Sequence, residues 1–130
     1  MSNKITIAVS KGRIYDETVP LLAKLGIVLK DDPKKSRKLI LDTNQSNIKV
    51  LIIRATDVPT YVERGGAELG IAGKDVLMEY SGDSLYEPVN LGIAKCRMML
   101  AGLKDAKPII DRPRVVTKYT NITRNYFADR

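Results

Sequence analysis

The sequence predicts an α/β fold, and three observations carry that prediction. Short apolar runs rich in β-branched residues, "KITIAV" (residues 4–9) and "IKVLIIRA" (48–55), alternate with stretches whose apolar residues recur at helical spacing. Gly26 and Gly65 follow two of those stretches, where a left-handed residue ends a helix. The strand-like runs are joined by long, helix-bearing connections, the pattern of βαβ units and a largely parallel sheet. With 130 residues, 44% of them hydrophobic, the chain suffices for one compact domain or part of a larger one.

The elements follow in order. Residues 4–9 form a strand and "SKGR" a turn. "IYDETVPLLAKLGI" is a helix with an apolar stripe of Ile14, Val19, Leu21, Leu22 and Leu25. Its start is expected near Asp16 or Glu17, which puts Pro20 in the first turn, where a missing N–H costs nothing. "KDDPKKSRKLILD" is a charged loop entering a short strand at 39–41. The run 48–55 is apolar almost throughout, as in a strand covered on both faces.

"TDVPTYVERGG" begins a helix with Thr56 or Asp57 as cap, a capping role for Asp57 being favoured over a functional one, and Pro59 in the first turn. Tyr61 is assigned to packing on that helix. "AELGIAG" reads as a short buried strand and "KDVLMEY" as a helix. Further on, 96–101 and 114–119 read as strands, and "TNITRNYFADR" as a helix capped by Thr120 or Asn121. Cys96 and at least one of Met98 and Met99 are expected in a core. The division is a first α/β unit over residues 1–94 and the start of a second, incomplete one over 95–130.

Composition narrows the chemistry. The chain has no His, which removes Ser/His and Cys/His nucleophile pairs, His-bearing zinc sites and the commonest general base. Its single Cys96 permits no internal disulfide, so a reducing, cytoplasmic setting is expected. No apolar run approaches the roughly 20 residues of a membrane span. A net charge of +7 asks for an anionic partner. The aromatic residues do not interleave with the basic ones as stacking platforms would, so nucleic acid is not the expected partner.

Within "GGAELGIAGKDVL" (65–77) the glycines invite comparison with a phosphate-binding P-loop. That motif needs a Gly five residues before the Gly of Gly-Lys, and a Ser or Thr after the Lys. Glu68 and Asp75 stand in those places, so the motif fails. The stretch has another context. In parallel α/β sheets the ligand sits beyond the carboxyl ends of the strands. Ser10, Lys11, Gly12 and Arg13, then Arg54, then Gly73, Lys74 and Asp75 each follow one strand. Lys11 and Arg13 either grip an anion beside a permissive Gly12 or are solvated cations on a turn. Arg54 must face the cleft or pair with Asp57 or Asp75. Asp75 either accepts a hydrogen bond from a ligand or favours the positive end of its helix. By charge pattern alone Arg37, among Lys34, Lys35 and Lys38, is a surface residue.

Three segments, "IAVSKGRIYDETVPLLAKLGI", "RATDVPTYVERGGAELGIAGKDVL" and "RVVTKYTNITRNYFA", together resemble ATP phosphoribosyltransferase, the first enzyme of histidine biosynthesis, in its short form. The resemblance spans nearly the whole chain. It implies two lobes of the periplasmic-binding-protein type, with mainly parallel sheets and the active site in the cleft between them. It implies a glycosyltransferase reaction in which N1 of ATP's adenine displaces pyrophosphate from C1 of phosphoribosyl pyrophosphate, with magnesium brought by that substrate. On the same ground Arg13 and Arg37 are the expected catalytic residues. Ser10, Lys11, Gly12, Arg54, Gly73, Lys74 and Asp75 are the expected contacts to ATP or pyrophosphate.

The resemblance also implies a homodimer and a regulatory subunit similar to histidyl-tRNA synthetase. The family's acidic, Gly-rich stretch ending in Thr-Gly-x-Thr-Leu, which holds phosphoribosyl pyrophosphate, does not occur in these residues. The expectation is therefore a fragment or a natural truncation, able to bind ATP or AMP weakly and inactive as a transferase by itself. The alternative is a small-anion-binding module of the same two-lobed fold that catalyses nothing.

Overall fold

The computed structural model describes residues 3–130. A four-stranded mixed sheet of order β2-β3-β1-β4 organises the first part of the chain. Its strands are β1 (Ile5–Ser10), β2 (Ile40–Asp42), β3 (Ile48–Ile53) and β4 (Leu69–Ile71). The central strand β1 pairs in parallel with β3 on one side and β4 on the other, while β2 runs antiparallel to β3. The antiparallel β2 makes the sheet mixed: Thr43 closes a tight turn into β3, its buried hydroxyl donating to the Ile48 carbonyl at 2.8 Å and accepting the Gln45 N–H at 3.1 Å.

Alternation along the strands sends side chains to two faces. Ile7 and Val9 of β1 meet Val50 and Ile52 of β3, Leu41 of β2, and Leu22 of helix α1 (Arg13–Lys24). On the other face Ala8, Leu51 and Ile53 meet Val58 and Val62 of helix α2 (Val58–Glu63), with Ala67. Each face thus has its own helix, and Val50 to Ile53 are buried throughout, as their unbroken apolar run predicts. Both helices end on a glycine with positive φ, Gly26 at 74° and Gly65 at 76°. In each, the two N–H groups after the cap return to the last turn: Gly26 to Ala23 and Ile27 to Leu22, Gly65 to Val62 and Gly66 to Tyr61. Tyr61 lies with its ring against Gly66 and is half exposed.

Several expectations need correction. Helix α1 begins at Arg13, which places Pro20 in its interior. Pro20 and Asp16, whose carbonyl loses its helical partner, are both exposed, so water can take the freed acceptor. Leu25 is the C-cap and 75% exposed, outside the apolar stripe. Asp57 does not cap α2. A 3₁₀ turn (Ala55–Asp57) precedes the helix, and Asp57 already has helical dihedrals, so its side chain makes no capping bond. Strand β4 is an edge strand with Leu69 half exposed, not a buried one.

After helix α3 (Lys74–Glu79), no helix or strand is present until helix α4 (Thr120–Ala128). The expected strands at 96–101 and 114–119 are absent, and Cys96, Met98 and Met99 are exposed rather than in a core. Apolar and β-branched residues supply strand propensity, but the ladder needs a partner, and these segments have none among the described residues.

Helix α4 is tied back to α3. Neither Thr120 nor Asn121 caps it, because both already lie inside the helix, after Tyr119 at the N-cap. The cap comes from Glu79, whose carboxylate accepts the Asn121 N–H and the Ile122 N–H, each at 3.0 Å, and the Thr120 hydroxyl at 3.2 Å. Among the described residues no helix is long and apolar enough to cross a membrane.

Two predictions follow from this packing. A Cβ at Gly70 would stand 2.8 Å from methyl groups of both Val58 and Val62, so α2 packs on β4 only because residue 70 has no side chain. Gly70→Ala should cost about 1–3 kcal/mol of stability in urea unfolding, the range for overpacking a tight contact. Separately, the Asn121 amide, aided by Ile122 and Thr120, holds the Glu79 carboxyl below its ordinary pKa despite some opposing desolvation. A carboxylate depressed in the folded state stabilises fully above its unfolded value, about 4.3, and loses that contribution as pH falls through the lower folded value. The protection of the Asn121 and Ile122 amides, meaning their exchange rates relative to the intrinsic rates at the same pH, should therefore fall on acidification below about pH 4.3.

Candidate functional site

The parallel pairing places three strand ends side by side. Ser10 is in register with Ile53 and Val9 with Ile71. Beyond them, the Lys11 N–H donates to the Ile53 carbonyl at 3.0 Å, and the buried Ser10 hydroxyl donates to the Ile71 carbonyl at 3.2 Å. Lys11, Gly12 and Arg13 therefore leave β1 between Arg54, which follows β3, and Gly73 and Lys74, which follow β4. From β1 the chain enters α1 on one face of the sheet, and from β3 it enters α2 on the other. Adjacent strands whose connections part to opposite faces leave a crevice between their ends.

Arg37 reaches this edge by a different route. Because β2 is antiparallel, its start lies beside the end of β3, with Ile40 opposite Leu51 and the Ile52 N–H donating to the Leu39 carbonyl at 2.9 Å. The loop before β2, which carries Arg37, thus arrives at the edge where the parallel strands finish.

Gly12 makes the β1 turn possible. Its φ of 89° and ψ of −138° lie in a region essentially closed to side-chain-bearing residues. No atom would meet an added Cβ within 4 Å, so the requirement is conformational rather than steric.

The edge is electropositive. Arg13 is paired with Glu17 at 2.9 Å and Lys74 with Glu87 at 2.5 Å, both pairs largely exposed. Among the described residues no ion pair involves Lys11, Arg37 or Arg54. Arg54 pairs with neither Asp57 nor Asp75 and is exposed. The Asp75 carboxylate instead accepts the Tyr119 hydroxyl at 2.8 Å, and this bond is the main reason the Tyr119 pKa is raised. A groove of about 460 Å³ between α1 and residues 27–34 is lined by Asp16, Asp31 and Asp32, by Lys30 and Lys34, and by apolar groups. Desolvation, then Asp32 and Asp16, raise the pKa of its Tyr15.

Three contacts lay outside the sequence reading. Glu17 was legible as an i,i+4 partner of Arg13. Tyr119 and Glu79 had no local signal, since their bonds span 44 and 42 residues. The described residues hold no group of three or more His, Cys, Asp or Glu side chains able to bind a metal ion.

Comparison with known proteins gives a consistent result. A family model described as ATP phosphoribosyltransferase matches residues 54–130. The chain is 60% identical over 128 residues to an ATP phosphoribosyltransferase of Marinobacter nauticus, covering 98% of this chain and 60% of that protein. Against the protein of the same name from Halorhodospira halophila it is 57% identical over 128 residues, with the same coverage. Against that of Pseudomonas syringae pv. syringae it is 59% identical over 126 residues, covering 97% of this chain and 60% of the relative. The chain thus spans about 60% of the length of the curated relatives it matches. Among solved structures, the ATP phosphoribosyl transferase (HisG:HisZ) complex from Thermotoga maritima matches with a TM-score of 0.51 and 28% identity. That match covers 66% of this chain and 41% of the other.

The Gly12 turn supplies a direct test of the edge. Gly12→Ala should destabilise the fold by about 1–3 kcal/mol through backbone strain and weaken inorganic pyrophosphate binding measured by calorimetry. An unchanged affinity would show that the turn geometry does not matter to an anion.

Proposed function

The chain belongs to the ATP phosphoribosyltransferase family, and on that premise we propose that the protein joins ATP to phosphoribosyl pyrophosphate, releasing pyrophosphate, in the first step of histidine biosynthesis. The single observation that carries the reading to particular residues is the convergence of Lys11–Arg13, Arg54 and Gly73–Lys74 at three adjacent strand ends. In this reading Ser10 holds the end of β4 against β1. Lys11, the Gly12 backbone, Arg54, Gly73 and Lys74 receive phosphate oxygens, with Asp75 at their border. Arg13 and Arg37 stabilise the charge that develops on the departing pyrophosphate.

The chemistry suits a chain without His. Adenine N1 attacks with its own lone pair, so no side chain has to remove a proton first. The protein's task is to align two bound substrates, which supplies roughly 7–11 kcal/mol of barrier lowering in well-oriented reactions, and to place cations where negative charge appears. Magnesium enters with phosphoribosyl pyrophosphate and supplies charge neutralisation at the diphosphate. The described residues offer no group of three carboxylates to hold it, so none of them is assigned to the metal.

The same reading makes residues 1–94 the first lobe of a periplasmic-binding-protein-like pair and 95–130 the beginning of the second, in a cytoplasmic homodimer. The Thermotoga maritima structure is a complex of two named components, which supports a regulatory partner resembling histidyl-tRNA synthetase.

The test is formation of phosphoribosyl-ATP by the full-length gene product in single-turnover kinetics. Arg37→Ala should slow the chemical step by roughly 10²–10³-fold, the cost of losing one preorganised charge-stabilising donor, with a smaller change in ATP affinity. An unchanged chemical rate with a raised dissociation constant for ATP would make Arg37 a binding residue. Tight binding of ATP and pyrophosphate with no product from the unsubstituted protein would favour the anion-binding module instead.

A further inference from the structure

Asp75 poses an electrostatic problem for the phosphate edge. Its carboxylate lies against Gly73, so closely that a side chain at residue 73 would collide with it. An uncompensated carboxylate there would repel a phosphate brought to Gly73 and Lys74. The structure answers with groups from 44 residues further along. The Tyr119 hydroxyl donates to Asp75 at 2.8 Å, and the Lys118 ammonium stands 5.1 Å from the centre of the Tyr119 ring. Among the described residues no ion pair involves Lys118. The cation is thus one ring and one carboxylate away from Gly73.

What holds these groups in place is one helical turn further along α3. Glu79 accepts the N–H groups of Asn121 and Ile122 and the Thr120 hydroxyl, while its own carbonyl accepts the Asn121 side-chain amide at 3.0 Å. Asp75 and Glu79 are four residues apart and so share a face of α3. Together they grip the chain at Tyr119 and at the first turn of α4, and the segment 81–117 between has no helix or strand to fix it.

We propose that Asp75 and Glu79 form a two-point clamp on the chain at Tyr119 to Ile122, and that the clamp delivers Lys118 to the strand-end edge as a further cation for the substrate phosphates. Asp75 and Glu79 are then positioning residues rather than ligands, and Lys118 joins Lys11 and Arg54. This rests on the reading of the strand ends as a phosphate-binding edge.

The decisive experiment separates position from charge, using calorimetric titration of the chain with inorganic pyrophosphate. Glu79→Gln removes a negative charge, so bare electrostatics predicts tighter binding. The clamp predicts weaker binding, by roughly two- to fivefold, the scale of one exposed charge–charge contact. Lys118→Ala should weaken binding by a similar factor, and little further once Glu79 is already Gln. Tyr119→Phe, which keeps the ring and removes only the hydroxyl, should weaken it as well. Hydrogen exchange should accelerate at Asn121 and Ile122 in Glu79→Gln while the β1 and β3 amides stay protected, which shows that the clamp and not the fold has been lost. Tighter binding in Glu79→Gln, or a full Lys118→Ala effect persisting in that background, would overturn the proposal. Failure of the underlying reading looks different: Lys11→Ala and Arg54→Ala would then leave pyrophosphate affinity unchanged.

Discussion

The parallel pairing of β1 with both neighbours is the constraint on which the rest depends. It covers β1 on both edges and, through Ile7 and Val9 on one face and Ala8 on the other, buries it under α1 and α2. Parallel strands all finish at the same edge, so the residues after β3, β1 and β4 meet there wherever they fall in the sequence. A one-residue slip of β1 would exchange its two faces, setting Ala8 into the space filled by Ile7 and Val9. Register and site geometry are therefore one requirement. The Ser10 hydroxyl on Ile71 and the Lys11 amide on Ile53 extend it past the last paired residues.

That constraint also decides what the charges do. The interior of the sheet is apolar, and every described ion pair lies at the surface, where each contributes little to stability. Lys11, Arg37 and Arg54 can then stand without an ion-pair partner among the described residues, because they are exposed and solvent hydrates their charge. A buried cation in the same place would need a permanent partner, and that partner would compete with the ligand. Exposure at the strand ends keeps the cations available.

The first ninety residues were legible because their signals are local. β-Branched runs marked β1 and β3, Gly26 and Gly65 marked the ends of α1 and α2, and following the strands to their ends grouped Lys11, Arg13, Arg54 and Lys74. Errors arose where a local preference met a tertiary decision. Asp57 is a good capping residue, but a 3₁₀ turn claims its dihedrals. The run 96–101 has the composition of a strand, but pairing depends on a partner that no property of the run itself specifies. Arg37 is instructive in the opposite sense. Its charge-rich surroundings read as ordinary surface, and only the antiparallel direction of β2 sets the start of that strand, which its loop enters, beside the end of β3.

The long segment after α3 shows how a chain without ladder bonds acquires a position. Carboxylates on three helices do the holding, Asp75 at Tyr119 among them. Glu17 of α1 accepts the Ala94 N–H at 2.6 Å, at the one non-glycine among the described residues with positive φ, 48°. Glu63 of α2 accepts the Tyr80 and Ser84 hydroxyls, and Glu79 of α3 caps α4. In each case a hydrogen-bond donor is the largest influence lowering the carboxyl pKa: the Ala94 amide, the Tyr80 hydroxyl and the Asn121 amide, respectively. A charged acceptor makes a stronger hydrogen bond than a neutral one, and a single side chain can satisfy two or three donors that would otherwise seek a ladder. Glu17 illustrates the economy, since its other oxygen holds Arg13. The residue that fixes the chain at 94 is therefore the one that orients a cation at the strand-end crevice. The sheet and the segment beyond it meet through that carboxylate.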